Sequence, residues 1–431
     1  MILKILIKNG RIINPAADMD KKGDLLIIDD KVAKIADKIE EEADKVIDAE
    51  GKWVTPGFID LHVHLRDPGF EYKETIETGS RAAAMGGFTT VCCMPNTNPV
   101  TDSEIMVEYI KMRAERDAVV NVLPIGAITK GQAGEELAEI GKMTKAGACA
   151  ISEDGKSVMN AGLLKTAMNY SKMFNIPVLS HCEDKSLVGG GVMNAGVQSQ
   201  LMGLKGISND SEDVIASRDI ILAENTGAKL HLCHVSTRGS VQLLREAHAR
   251  GVNVTAECCP HHFTLTDEAV TSYDANTKMN PPLRSKEDVA ALRQALKDNT
   301  ISVIATDHAP HGIDEKNCEY DKAAFGIVGL ETALALGVTT LVEGGYLTPS
   351  QLIAKMTINP ANVIGIEKGN ISEGKTADIA IVDADTTYKI DASKFESKGR
   401  NTPFDGWEVK GKALYTIVGG KIVVEEGVLN K

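Results

Sequence analysis

The chain has 431 residues, 43% of them hydrophobic and 25% charged, a length beyond one ordinary domain and a composition that excludes a disordered or fibrous chain. A net charge of -13 and an aromatic share of only 4% argue against nucleic acid, against an anionic membrane surface and against base-stacking platforms. Eight cysteines without a CxxC pair, behind a start that lacks a secretion signal, are expected to be free buried thiols of a reducing cytoplasm.

The N-terminal run MILKILIKNGRIINP alternates apolar and polar residues and stops at turn residues, with neither the length nor the cleavage site of a signal peptide. DLLIIDDKVAKIAD and KVIDAEGKWV follow as strand-like runs joined by tight turns. From Ile59 onward the pattern changes. Eight short β-rich runs appear, at 59–65, 89–94, 121–128, 148–153, 178–182, 229–235, 253–258 and 302–307. Helix-like stretches lie between them, among them 75–85, 163–174, 211–225, 240–250 and 286–296. Eight βα units predict an α/β TIM barrel with its active site on the loops at the C-terminal ends of the strands. The triple glycine 189–191 marks a loop, without the GxxxxGK[ST] pattern of a phosphate cradle. After the barrel, TADIAIVDAD and ALYTIVGGKIVVEEGV read again as hairpins. Neither flank closes a core alone, so residues 1–54 and 366–431 are expected to form one discontinuous β-sandwich beside a barrel of residues 55–365. No window reaches the length of a membrane span.

Chemistry gathers at the predicted strand ends. His62 and His64 in DLHVHLRDPG are two apart on a strand and so share a face. His181 ends the fifth run, His234 the sixth and Asp307 the eighth, which brings nitrogen and oxygen ligands to one mouth. A pair of divalent ions needs an anionic bridge. Asp154, after the fourth run, is the chosen candidate; it could also merely start the turn at Gly155, and Lys156, if carbamylated, is a rival bridge. Arg66 follows His64 by two and is expected on the same side of the strand, where its guanidinium could hold a carboxylate; a surface ion pair is the plainer alternative. His231 and His308 alternate away from their neighbours and are read as packing or supporting groups, and His261 and His262 receive no ligand role.

DLHVHLRDPG and ATDHAPHGIDEK resemble the two signatures of dihydroorotases in the amidohydrolase superfamily, and MPNTNP, KMNPPLR, FGIVGLE and SKGRNTPFDGW resemble further segments of the bacterial type whose metal bridge is an aspartate. The resemblance covers essentially the whole chain. It implies zinc, one or two ions per subunit with two favoured, held by His62, His64, Asp154 and Asp307 on one side and by Asp154, His181 and His234 on the other. It further implies that Arg66, with His64, Asn96 and His311, surrounds a substrate carboxylate, while Asn280 and the backbone at Phe325 and Gly326 meet the ring's amide edge. Asn96 as a turn former and His311 as an exposed residue are the plainer readings.

The implied reaction is the reversible closure of N-carbamoyl-L-aspartate to dihydroorotate in pyrimidine synthesis. Water on zinc can ionise near neutrality and attack the ring amide, with Asp307 as general base and then acid. A hydantoinase, dihydropyrimidinase or allantoinase is the alternative within the class, disfavoured by Arg66, and an inactive scaffold for aspartate transcarbamoylase the alternative outside it, disfavoured because every ligand position is filled. The resemblance also implies a cytoplasmic homo-oligomer, a dimer among the options, and leaves room for docking to that transcarbamoylase.

Overall fold

The computed structural model describes residues 3–430. Five strands come first: β1 (Lys4–Asn14), β2 (Met19–Ile28), β3 (Lys31–Ala36), β4 (Lys45–Asp48) and β5 (Trp53–Pro56). Then β6 (Phe58–Val63), β7 (Phe88–Cys93), β8 (Asn121–Ala127), β9 (Ala150–Ser152) and β10 (Val178–Ser180) begin the barrel. A small ribbon, β11 (Met193–Asn194) with β12 (Gly206–Ile207), is inserted before β13 (Leu230–Leu232), β14 (Val254–Cys258) and β15 (Val303–Ile304). The chain finishes with β16 (Ile379–Lys389), β17 (Glu408–Val418), β18 (Lys421–Glu425) and β19 (Val428–Leu429).

The eight barrel strands are parallel neighbours in the order β15-β14-β13-β10-β9-β8-β7-β6. β15 is short, so the seam to β6 closes just beyond it, through a parallel bridge between Val63 and His308 and through the Asp60 carboxylate, which accepts from the Thr306 and His62 amides. Ile59, Leu61, Cys92, Ile125, Ala150, Leu179, Cys233 and Val303 fill the interior, and Ala361, Val363 and Ile364 join the same cluster. Burial on both faces accounts for the near-continuous apolar strands. The predicted helices lie at Ile76–Met85, Ala161–Lys172, Asp210–Thr226, Arg238–Ala249 and Lys286–Lys297. Thr75, Thr237 and Ser285 start three of them by accepting backbone N–H groups three residues on.

The flanks pair as expected across the two termini, but as one continuous sheet. β5 runs parallel to β1 and antiparallel to β16, giving the order β19-β18-β17-β16-β5-β1-β2-β3 with β4 beside β1. The sheet folds back on itself: Val32 N–H donates to Lys375 O and Ala377 N–H to Asp30 O, enclosing Ile5, Ile7, Ile12, Leu25, Val54, Ile379, Ile381 and Ile417 in one core. The joint between sheet and barrel is Gly57, where a Cβ would lie 2.1 Å from the Thr89 side chain. No helix among the described residues is long and apolar enough to cross a membrane, and all eight cysteines are free.

The segment that leads into β17 crosses back over the barrel. There the Glu331 carboxyl accepts from the amides of Glu396 and Ser397, and burial pushes it up to about 8. An acid raised in the fold stabilises most below its unfolded value of 4.5, and that contribution is lost as pH rises toward about 8. Glu331→Gln keeps an acceptor without the charge. It is expected to flatten the decline of unfolding free energy between about pH 5 and 8, measured by denaturant titration; an unchanged slope would mean that Glu331 is ionised in the fold.

Candidate active site

His62 lies on β6, and the other polar residues follow just beyond their strands. His64 follows β6, Asp154 lies two beyond β9, His181 one beyond β10, His234 two beyond β13 and Asp307 three beyond β15. Three positions leave the strand direction in the left-handed region, Arg66 (φ 62°), His234 (φ 35°) and Asp307 (φ 48°). Such backbone costs on the order of 1–3 kcal/mol per residue and is found where the surroundings dictate a side chain's aim.

The side chains meet around Asp154. Its Oδ1 lies 3.1 Å from His62 Nε2, 3.5 Å from His181 Nδ1 and 3.8 Å from His234 Nε2, while its Oδ2 lies 3.4 Å from His64 Nε2. Asp307 Oδ1 is 3.0 Å from His64 Nε2 and 3.5 Å from His62 Nε2. His181 Nδ1 and His234 Nε2 are 2.8 Å apart. All six residues are buried, Asp154 at 3% and Asp307 at 6% exposure. Burial alone would push these imidazoles down, but Asp154 and Asp307 hold His62 well above its usual value, and Asp154 with Glu183 holds His181 up at about 10. Both aspartates are in turn held low against the cost of burial by the histidines.

By their chemistry these groups could hold a cation. His62 Nε2, Asp154 Oδ1 and His181 Nε2 are buried without a hydrogen bond, and the donor atoms of His62, His64 and Asp307, and of His62, Asp154 and His234, lie within 4.8 Å of one another. Two rings are fixed with their Nε2 lone pairs inward. His62 Nδ1 donates to Glu257 Oε1 at 2.7 Å and His64 Nδ1 to Asn96 Oδ1 at 2.9 Å, the support expected behind metal-ligating imidazoles. Lys156 reaches away to Gln132 O at 2.9 Å, so Asp154 is the bridging candidate that lies among the histidines.

The other expected residues surround this centre with several differences. Arg66 is not on a strand, because β6 ends at Val63. Its side chain turns in beside Pro310, donating from Nε to Pro310 O at 3.3 Å. Burial lowers its pKa, and Asp307 and Asp154 counter that. Asn96 faces His64 and also donates to Asp154 Oδ2 at 3.3 Å, so it orients metal-site groups. His311 Nε2 donates to Phe325 O at 2.8 Å, and burial together with Arg66 and Lys73 pushes this ring down to about 3. Asn280 donates to Glu183 Oε1 at 2.8 Å. The Gly326 amide already donates to Lys278 O, and its carbonyl accepts from Asn401 and Lys316. Its backbone is therefore engaged within the protein; its lack of a side chain is what the site uses, since a Cβ would lie 2.7 Å from Ala309 Cβ.

Glu257 is the residue that sequence reasoning missed. Fully buried, it joins His62 Nδ1 to His231 Nε2 (3.0 Å) and accepts the His234 amide at 3.3 Å. A lone carboxylate inside the strand run VTAEC was its only signal. His231 and His308 are supporting groups, the latter 3.2 Å from Glu74. Cys259, His261 and His262 form a neighbouring group in which His262 Nε2 donates to Pro281 O at 2.9 Å.

A family model described as Dihydro-orotase-like matches residues 51–240, and one described as Amidohydrolase family matches residues 234–424. The chain is 56% identical over 427 residues to a dihydroorotase of Pelotomaculum thermopropionicum, covering 99% of this chain and 100% of that protein. It is 53% identical over 425 residues to a dihydroorotase of Acetivibrio thermocellus, with 99% and 100% covered. Among solved structures, L-hydantoinase from Arthrobacter aurescens superposes with a TM-score of 0.90 at 29% identity, over 100% of this chain and 98% of that one.

If Glu257 holds His62 in its ligating orientation, Glu257→Ala is expected to weaken retention of a bound divalent ion by roughly 10- to 100-fold, read by competition with a chelator. Unchanged retention would show that His62 is oriented without it.

Proposed function

This chain belongs to the dihydroorotase family of the amidohydrolases, cyclic-amide hydrolases, and we propose that it interconverts N-carbamoyl-L-aspartate and dihydroorotate in pyrimidine synthesis, as a cytoplasmic enzyme on a small-molecule substrate. The observation that carries the choice of substrate is Arg66. Its guanidinium is turned into the mouth with no carboxylate within ion-pair distance among the described residues, its one protein partner being Pro310 O. A half-buried guanidinium without an ionic partner carries a desolvation cost. A ring carboxylate would supply that partner, which hydantoins and dihydropyrimidines lack.

The ligand set we assign is His62, His64, Asp154 and Asp307 for one ion and Asp154, His181 and His234 for the other, with zinc as the metal and two ions favoured. Ions held there would supply the Lewis acidity that polarises the amide carbonyl and acidifies an attacking water. The rest is done by the chain itself. Arg66 binds the carboxylate and so fixes which face of the ring meets the metal-site residues. Asp307 accepts the proton of the attacking water and delivers it to the departing ring nitrogen, so that the C–N bond breaks to a neutral carbamoyl group. Ring closure runs the same transfers in reverse, with loss of water. Asn96 keeps His64 Nε2 directed at Asp307 throughout. His311, its pKa pushed down by burial, Arg66 and Lys73 and its ring bonded to Phe325 O, lines the same wall as Arg66.

Dihydroorotate, allantoin and dihydrouracil offered to protein of known zinc content test the reading. Turnover of dihydroorotate alone, lost with chelator, is expected; turnover of dihydrouracil or allantoin instead would move the chain to the hydantoinase kind. Arg66→Met is expected to lower kcat/KM for dihydroorotate by about 2 to 4 kcal/mol of transition-state binding. A value unchanged from the unsubstituted enzyme would remove Arg66 from the carboxylate site.

The bridge is tested separately. Asp154→Asn is expected to lose metal and activity together, measured by mass spectrometry and assay, while Lys156→Ala keeps both. The opposite pattern would give the bridge to Lys156.

A further inference from the structure

We propose that Asn401 is a positioning residue for the anion-binding wall of the site, acting on the backbone that carries Arg66's partner and His311 and touching no substrate itself; this rests on the carboxylate reading given above. Asn401 belongs to Ser397-Lys398-Gly399-Arg400-Asn401, a stretch of the chain that otherwise has no part in the reaction. It is 4% exposed. Its Nδ2 donates to Ala309 O and to Gly326 O, each at 3.0 Å, and its Oδ1 accepts the His311 amide at 3.2 Å. Its own carbonyl accepts the Val328 amide at 2.9 Å.

One side chain therefore spans two loops that meet at the mouth, and both its amide hydrogens and its oxygen are used. The loop 309–311 matters twice. It carries His311, and Pro310 O is the one acceptor of Arg66 Nε among the described residues. Arg66 and His311, two of the groups assigned to the carboxylate, thus both meet a loop that Asn401 holds at Ala309 O and the His311 amide. The second loop is held with them: the Gly326 carbonyl bound by Asn401 follows Phe325, whose carbonyl receives His311 Nε2.

The approach is built for close contact. A Cβ on Gly399 would lie 2.7 Å from Val328 Cγ1 and 2.8 Å from both Pro310 Cβ and Asn401 Oδ1, so only glycine lets the segment lie this near. Upstream the segment is tied to the same wall from its other side. The Ser397 hydroxyl and the Lys398 amide donate to Glu74, whose Oε2 lies 3.2 Å from His308 Nε2. Among the described residues Asn401 makes no hydrogen bond to any of the six residues assigned to the metals, so its loss should be felt in anion binding ahead of metal retention.

The test uses the full-length, zinc-loaded enzyme. For Asn401→Ala, KM for dihydroorotate and Ki for orotate, a planar ring with the same carboxylate, are expected to rise about tenfold, with kcat within about threefold and zinc content unchanged. Asn401→Ser, which keeps a small hydrogen-bonding group, should fall between, and it is read on the same scale if the alanine form does not fold. Lys398→Ala, whose side chain reaches only Glu71 O at 2.7 Å, should match the unsubstituted enzyme. A fall in kcat with KM and Ki unchanged, or zinc lost in proportion to activity, would overturn the positioning role. Absence of dihydroorotate turnover in the unsubstituted enzyme would sink the underlying reading as well, and that control separates the two failures.

Discussion

The burial of two carboxylates, Asp154 and Asp307, is the constraint on which the rest of the mouth depends. An ionised carboxylate removed from water costs several kcal/mol unless positive charge and hydrogen-bond donors replace the solvent. Here the imidazoles packed against them stand where solvent would be, and in return Asp154 and Asp307 raise the pKa of His62 while Asp154 and Glu183 raise that of His181. Protons and divalent ions compete for the same lone pairs. The arrangement therefore stores an affinity for cations, and the imidazoles must be fixed from behind if that affinity is to select a geometry. Glu257 and Asn96 do the fixing, and His231 fixes Glu257.

The same constraint explains the backbone. A parallel strand aims alternate side chains into the barrel or out of it, and neither direction brings groups from five different strands to one point above the mouth. The strands end early instead. β9, β10, β13 and β15 have only two or three residues each, and His234 and Asp307 then adopt left-handed backbone that turns their side chains over the opening. Strain of this kind persists only on a rigid support. The packed interior of Ile59, Leu61, Ile125, Leu179 and Val303 is that support, and the sheet built from both termini is joined to it through Gly57.

This division also decides what could be read from the residues alone. The barrel strands were legible because alternation of apolar runs with helical stretches depends on local pattern, and all eight overlap the expected runs, β6 and β7 starting one residue earlier. His62, His64, Asp154, His181, His234 and Asp307 were legible as a group because ligand-type residues stood at strand ends. Arg66 was placed by extending the strand period past Val63, which fails where φ turns to 62°. Asn96 and His311 were assigned to substrate by resemblance, and their hydrogen bonds to His64 and Phe325 depend on contacts across 32 and 14 residues that no local pattern encodes. Glu257 and Asn401 were missed for the same reason. Each is a single polar residue whose meaning lies entirely in its partners.

Selectivity has to arise from a different source than the barrel. A mouth of buried histidines and carboxylates over parallel strands would open many cyclic amides, so the fold by itself leaves the substrate undetermined. Discrimination requires a group that is costly when left unmatched, because lost hydrogen bonds to a buried polar group penalise the wrong ligand more than extra contacts reward the right one. On the proposed reading Arg66 is such a group. Asp307 and Asp154 act on it by charge, yet among the described residues it makes no ion pair with them and has Pro310 O as its one acceptor. Were it to pair with either aspartate, it would neutralise the cation site and leave nothing to receive an anion. The hydrogen bond to Pro310 O holds Nε on the side of that loop, so on the proposed reading the backbone there belongs to substrate choice together with the guanidinium.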